Sequence, residues 1–453
     1  MFKPTLIRDS HNEDIHKLLL GFSPQEQEPI TYSGDAPLVT IAPTRTGKSQ
    51  CQVIPNLLNW PATSSAIVLD VKDELYHYTA GYRAQAGSEI HKFDMLMEGG
   101  ACFNPFDFIR SDETKLWDDA GYFAELMMVA PANLKDPFWT DYARILLQAI
   151  LAEMVLSGED RTIRHILMIL SDGERLKDCV SNLAQSNIDA AKITAKFLMS
   201  AIDAQDGNKG SQIMLGVIQQ AFASLNRLNT PLITRAMERT DWQPKDLRKK
   251  GSTIYITLPA GNVSQYLPLL RLVLGVHIRE FLEEKPVEGD CPILMLLDEF
   301  PQLGEMTAIE KALELGGYDL KIWMFCQSLD QLATHYGKHT RITSQCAVHS
   351  YMNPSGEEGD NLAKIVSTAF GVSKSIQGKV EPVMEVPEIT GPNHRDTIFI
   401  LARGYDTTCL IKAPAFMDAG MVAKMQIPPP DKDTLHAPWE DGWSGISDGG
   451  DNS

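Results

Sequence analysis

Pro37-Leu38-Val39-Thr40-Ile41-Ala42-Pro43-Thr44-Arg45-Thr46-Gly47-Lys48-Ser49-Gln50-Cys51-Gln52-Val53-Ile54 is the stretch of this sequence that decides the fold. The apolar run before Ala42 reads as a strand, Gly47-Lys48-Ser49 closes a tight turn, and the residues after it start a helix. A nucleotide phosphate chain needs that order: backbone N–H groups at a helix start, a lysine for the outer phosphates and a hydroxyl for Mg²⁺. Thr44, Arg45, Thr46, Gly47, Lys48, Ser49 and Gln50 are therefore the expected nucleotide-binding residues. The usual phosphate-loop pattern begins with Gly, where this chain has Ala42. That Gly serves backbone geometry rather than contact chemistry. Pro43 fixes one dihedral and stiffens the turn by another route.

Short apolar strands and helices alternate outward from the loop. Ser65 to Asp70 is a buried-strand run ending in an acid, and Glu89 to Asp94 is the next strand. From Leu116 to Trp242 the strand signals stop. Tyr142–Leu151, Thr162–Leu170, Ile188–Ile202 and Gln212–Leu225 carry apolar residues at helical spacing, with Ser186 and Asn187 as caps for the third. Strands return at Ser252–Leu258, Ile293–Leu297, Lys321–Gln327, Cys346–Tyr351, Thr397–Leu401 and Thr408–Lys412. The pattern predicts an α/β fold with a mostly parallel central sheet covered on both faces, interrupted by an all-α domain. The expected division is 1–36 as an N-terminal segment with a weak helix around Asp14 to Leu20; 37–115 and 243–426 as a discontinuous nucleotide-binding domain; 116–242 as the all-α domain; and 427–453 as an acidic disordered tail. That tail holds six acids and one Lys, too polar to bury a core.

Ile293 to Leu297 ends in Asp298-Glu299, and this strand is expected beside the loop strand. Asp298 would hold Mg²⁺ together with Ser49, and Glu299 would orient or deprotonate the attacking water. Gln327 ends the next strand, where an amide can sense the outer phosphate. Lys48, Asp298, Glu299 and Gln327 are the expected catalytic set.

These residues carry a resemblance. Ala42 to Ser49 followed by Val53-Ile54-Pro55-Asn56-Leu57-Leu58 is similar to the phosphate loop of the type IV secretion coupling proteins, the TraG/VirD-type conjugation ATPases. Val68 to Leu75 with Thr79 to Arg83, Phe103 to Asp107, Leu297 to Pro301 with Leu303-Gly304, and Cys326 to Leu332 with Tyr336-Gly337 resemble that family's other motifs. The likeness runs from about Leu38 to Ala415, and it makes Ala42 a family variant. The resemblance implies a RecA-like P-loop NTPase domain interrupted by an all-α domain, ATP and Mg²⁺ as cofactors, and a hexameric ring around a channel. It implies ATP-driven movement of DNA, single-stranded and relaxase-bound or double-stranded, or of protein effectors, towards a type IV secretion channel. An arginine from the neighbouring subunit would complete the site. The segment where some relatives carry it, Ala312 to Lys321, has no Arg; Arg341 and, more weakly, Lys321 are the substitutes considered.

Two other readings stay open: a cytosolic DNA-translocating NTPase in plasmid maintenance or defence, and a nucleotide-binding scaffold with little turnover. Net charge is −18 from 41 basic and 59 acidic residues. That argues against a wholly basic nucleic-acid-coating surface, not against a basic groove. No run of about 18 apolar residues occurs, so no membrane span is expected, although most relatives begin with one. The expected place is the bacterial cytoplasm, with recruitment to the inner membrane through a partner. Seven cysteines without a C-x-x-C pair fit reduced thiols.

Four smaller features have bland readings. Asp70, Lys72 and Glu74 read as a solvated strand-end cluster sharing one direction, with a role near the nucleotide or the channel as the alternative. His335 and His339 have metal-compatible spacing, but Gly337 breaks the helix between them. Arg248-Lys249-Lys250 reads as a solvated link, with a DNA-facing role in a ring as the alternative. Phe138-Trp139 reads as core.

Overall fold

The structure, a computed structural model, describes residues 14–128, 137–203, 209–337, 341–354, 356–374 and 380–430. The predicted acidic tail lies outside these residues from 431 onward. Strands β1 (Leu18–Phe22) and β2 (Pro29–Tyr32) form a hairpin. Next come β3 (Leu38–Ile41), α1 (Ile54–Asn59), β4 (Ala66–Asp70), α2 (Glu74–Gln85) and β5 (Glu89–Asp94). Among the described residues, every element from there to Arg248 is helical. These are α3 (Leu116–Met127), α4 (Phe138–Ser157), α5 (Ile163–Ser171), α6 (Gly173–Leu183), α7 (Asp189–Ile202), α8 (Lys209–Asn226), α9 (Pro231–Ala236) and two short 3₁₀ turns. The sheet resumes with β6 (Ser252–Thr257), α10 (Val263–Glu283), β7 (Ile293–Leu297), α11 (Thr307–Glu314), β8 (Leu320–Cys326), α12 (Leu329–Tyr336), α13 (Arg341–Gln345) and β9 (Val348–Met352). The chain closes with α14 (Gly356–Phe370), the small hairpin β10 (Val372–Lys374) and β11 (Val380–Pro382), α15 (Val386–Ile389), β12 (Thr397–Ala402), β13 (Thr408–Ile411) and α16 (Ala419–Met425).

Eleven strands form one sheet in the order β2-β1-β13-β12-β9-β3-β8-β7-β4-β6-β5. The strands from β9 to β5 run parallel. The remaining four add antiparallel at one edge. All residues of β4, β7 and β8 are buried, as a strand covered on both faces requires. Period-two alternation splits them between two cores. Leu69, Met295, Leu297 and Met324 face the side of α3, α10 and α11. Val68, Leu296, Trp323 and Phe325 face the side of α1, α2 and α16. The first core is continuous through Leu146 and Ile150 of α4 to Leu198 of α7 and Leu225 of α8, so the helical block is fastened to the sheet by shared apolar packing.

Four expectations need correction. Residues 18–20 are strand, not helix. Leu18 and Leu20 are fully buried, and the Asn56 side chain accepts from Leu19 N at 2.7 Å and donates to Leu19 O at 2.9 Å. A tertiary partner thus overrides a short helical pattern. Second, β7 is not beside β3, because β8 lies between them. Third, Asn187 does not cap α7; its amide donates to Glu113 Oε1 at 3.1 Å, and Ile188 begins the helix without a side-chain cap. Fourth, Trp139 is 41% exposed and lies over Gly216, where any Cβ would come within 2.5 Å of its ring.

Candidate active site

Because the central strands are parallel, their C-terminal ends share one edge, where open α/β sheets place their ligands. The loop after β3, Asp298-Glu299 after β7 and Gln327 after β8 all leave from that edge. The intervening β8 carries Gln327 between the loop and the acids.

Ala42 is fully buried, and its N–H continues the ladder by donating to Cys326 O at 3.0 Å. Its φ is not positive, so an alanine fits without strain. The left-handed positions are Arg45 (φ 62°) and Gly47 (φ 94°). Gly47 is needed there, since a side chain at that φ is disfavoured and a Cβ would meet Cys51 Sγ at 3.2 Å. Thr46 Oγ1 donates to Pro43 O at 2.7 Å and ties the turn across its base. Thr44 and Arg45 point to solvent, while Ser49 and Gln50 are half-buried. The helix after Lys48 opens as a widened turn in which Ile54 N–H donates to Ser49 O. Pro55 follows and lacks the N–H that would bond Cys51 O in a regular helix.

Lys48 is 7% exposed. Its Nζ donates to Glu299 Oε1 at 2.9 Å and lies 3.2 Å from Asp298 Oδ1. Gln327 Nε2 donates to the other Glu299 oxygen at 2.9 Å, while its own N–H donates to Gln331 Oε1 at 3.1 Å. The four expected catalytic residues therefore meet in one place. Burial works against the charge on Lys48, but Asp298 and Glu299 outweigh it and raise the ammonium pKa. Burial likewise works against a charged Glu299, and Lys48 with Gln327 outweighs it and lowers the carboxyl. Both groups are thus held charged. Asp298 Oδ1 is buried and faces the Lys48 ammonium at 3.2 Å, with no well-aligned hydrogen bond. A buried carboxylate oxygen that loses this ammonium to an incoming phosphate is one that a hard cation would satisfy. With the Ser49 hydroxyl at the same edge, the donor set fits Mg²⁺.

For Lys72 the structure favours the alternative place near the site over the solvated one: its Nζ lies 3.6 Å from Glu299 Oε1. The signal was its place two residues past β4, the neighbour of β7. Asp70 is not a solvated strand-end acid. It is buried, its Oδ2 accepts from Tyr76 N at 2.8 Å, and burial pushes its carboxyl up to about 7. Glu74 is exposed, as expected. The shared direction of the three fails because the strand ends at Asp70 and Asp73 turns left-handed (φ 57°).

Lys321 cannot act on a neighbouring subunit. It is 2% exposed, at the opposite end of β8 from the site, and its Nζ donates to Ser33 O at 2.6 Å and Gly34 O at 2.9 Å. Arg341 begins α13; its side chain lies outside the described set. Arg248 is likewise structural, buried over the Phe281 ring and donating to Tyr318 O at 2.7 Å. Lys249 pairs with Asp290 and Lys250 with Glu89. His339 lies outside the described residues, and among those described no cluster of metal-ligating side chains occurs. No described helix is long and apolar enough to cross a membrane.

A phosphate loop after one parallel strand, an acid pair after another and a glutamine between them define the class: an α/β protein of the RecA-like P-loop NTPase fold. Residues 26–375 match the family described as Type IV secretory system Conjugative DNA transfer. The chain belongs to that family. It is 27% identical over 374 residues to the conjugal transfer protein TraG of Escherichia coli, covering 77% of this chain and 57% of TraG. It is also 27% identical over 362 residues to the protein VirD4 of Agrobacterium fabrum, covering 76% of this chain and 52% of VirD4. The chain thus spans little more than half the length of these relatives. The plasmid coupling protein TrwB, solved in complex with ADP and Mg²⁺, has the same fold: TM-score 0.63 at 16% identity, over 84% of this chain and 86% of TrwB.

Proposed function

We propose that this chain binds ATP with Mg²⁺ at the C-terminal edge of its sheet, hydrolyses it, and serves as a coupling protein of conjugative DNA transfer. The observation that carries the reading is the convergence of Lys48, Asp298, Glu299 and Gln327. Family membership supports the biological setting, and the ADP and Mg²⁺ bound by TrwB support the choice of ligand.

In this reading Lys48 leaves Glu299 and meets the outer phosphates, and the N–H groups after the loop face the same anion. Ser49 and Asp298 would hold Mg²⁺, which when bound neutralises phosphate charge. Glu299, released from Lys48 but still fixed by Gln327, accepts a proton from a water whose oxygen attacks the γ-phosphorus. The bond from that phosphorus to the bridging oxygen breaks, leaving ADP and inorganic phosphate. Gln327 ties the position of the base to the strand between the two halves of the site.

The finer proposals are a hexameric ring, an arginine supplied by the next subunit, and DNA or relaxase-linked cargo delivered to a secretion channel in the inner membrane. The test is ATP turnover with and without single-stranded DNA, in wild type and Lys48→Ala. The reading predicts turnover raised by DNA and abolished in the variant. Wild-type protein without turnover would reduce the chain to a nucleotide-binding scaffold.

A further inference from the structure

We propose that Lys72 is a positioning residue for Glu299, supplying the counter-charge of that carboxylate when Lys48 turns to a phosphate chain. The inference rests on the nucleotide reading above and adds a residue which that reading does not use.

Glu299 Oε1 faces two ammonium groups, Lys48 at 2.9 Å and Lys72 at 3.6 Å. They differ in freedom. The Lys48 side chain is 7% exposed and also borders Asp298, whereas that of Lys72 is 41% exposed. Lys48 can satisfy an incoming phosphate only by giving up Glu299. Glu299 is 3% exposed and adjoins Asp298. Without a second cation it would be left with the Gln327 amide alone, beside an arriving anion, and a buried carboxylate in that position is costly.

The chain after β4 is built to hold Lys72 there. β4 and β7 are neighbours, with Leu69 opposite Leu297, so the residues following each strand emerge side by side. Asp70 accepts from Tyr76 N and closes the loop between them. Asp73 stands left-handed after Lys72, and its N–H donates to Asp70 O at 3.3 Å. Lys92 Nζ donates to Asp73 Oδ2 at 2.8 Å. A left-handed conformation is disfavoured for a side-chain-bearing residue, and these bonds hold Asp73 in it. Glu299 is itself left-handed (φ 53°), so a non-glycine residue in this conformation adjoins or forms each end of the pair.

A double-mutant cycle on nucleotide affinity tests this, using a fluorescent ATP analogue with Mg²⁺ and no turnover readout. Lys72→Met is expected to weaken binding about threefold to fivefold, the scale of a half-exposed ion pair, and to have no effect in a Glu299→Gln background. Lys72→Arg restores affinity, and thermal unfolding without nucleotide verifies that each variant folds. An equal loss in both backgrounds would put Lys72 on the phosphate itself and overturn the inference; so would no loss in either. If wild type fails to bind nucleotide, the nucleotide reading and this inference fall together. If it binds and the cycle shows no coupling, only the inference falls.

Discussion

Lys48 and Glu299 lie 251 residues apart in the chain and meet through a 2.9 Å hydrogen bond, both nearly sealed from solvent. The contact joins the two halves of the sheet across β8. It also makes the lysine that would bind phosphate the partner of the carboxylate that would activate water.

That relationship has an energetic consequence without any ligand. Lys48→Ala leaves Glu299 and Asp298 buried next to each other with their shared cation gone. Breaking a buried pair on one side costs about 3–5 kcal/mol. Urea unfolding of the nucleotide-free protein should show a loss of that order for Lys48→Ala. Adding Glu299→Gln should recover part of it, because an amide needs no counter-charge. Equal midpoints for the single and double variants would contradict this.

Asp70 gives the fold a pH dependence of definite sign. A free aspartate titrates near 3.9, whereas burial holds Asp70 up to about 7. Between these values the folded chain keeps a proton that the unfolded chain has lost. Its contribution to stability therefore falls as pH rises from about 4 through 7. Asp70→Asn keeps an acceptor for Tyr76 N–H and removes the titration. The variant should gain on wild type by about 3 kcal/mol between pH 5 and pH 8, read from unfolding midpoints at each pH. A difference independent of pH would count against it.

Gly81 inverts a general rule. Within a helix, Gly→Ala usually stabilises by about 1 kcal/mol. Gly81 lies in α2, where an added Cβ would come within 2.0 Å of Ile427 O and 2.4 Å of Pro428 O. Both are backbone atoms of the segment following α16, so the chain must move. Gly81→Ala should destabilise by about 1–3 kcal/mol. A stabilised variant in thermal or urea unfolding would show that the close approach does not exist.

The parts of this fold legible in the sequence were those fixed locally. Ile293-Leu294-Met295-Leu296-Leu297 can bury both faces of a strand and little else, and the charges after it had to lie at the strand's end. The phosphate loop was legible for the same reason, as a strand, a glycine turn and a helix in immediate succession. Strand order was not legible, because inserting β8 between β3 and β7 depends on its pairing with β3, as of Leu38 with Trp323, from the far end of the chain. Leu18-Leu19-Leu20 suits a helix or a strand, and partners elsewhere in the chain, the neighbouring strands β2 and β13 together with Asn56 and Gln52, select the strand. The contact of Lys72 with Glu299 is not legible in the sequence, because it depends on the left-handed turn at Asp73, which a period-two pattern carries in the wrong direction. Lys321 and Arg248 misled for the opposite reason. Each looks like a free cation in the sequence, and each is consumed by backbone carbonyls of its own chain.

The central claim is that Lys48, Asp298, Glu299 and Gln327 form a hydrolysis site in which Glu299 activates water. The most direct measurement is single-turnover hydrolysis of ATP with Mg²⁺ by wild type and Glu299→Gln, with nucleotide affinity measured on the same samples. A positioned general base contributes about 10²- to 10⁴-fold. The account predicts Mg²⁺-dependent hydrolysis in wild type and a rate reduced by that factor in Glu299→Gln while nucleotide remains bound. Hydrolysis undiminished in Glu299→Gln, or none in wild type with nucleotide bound, would contradict it.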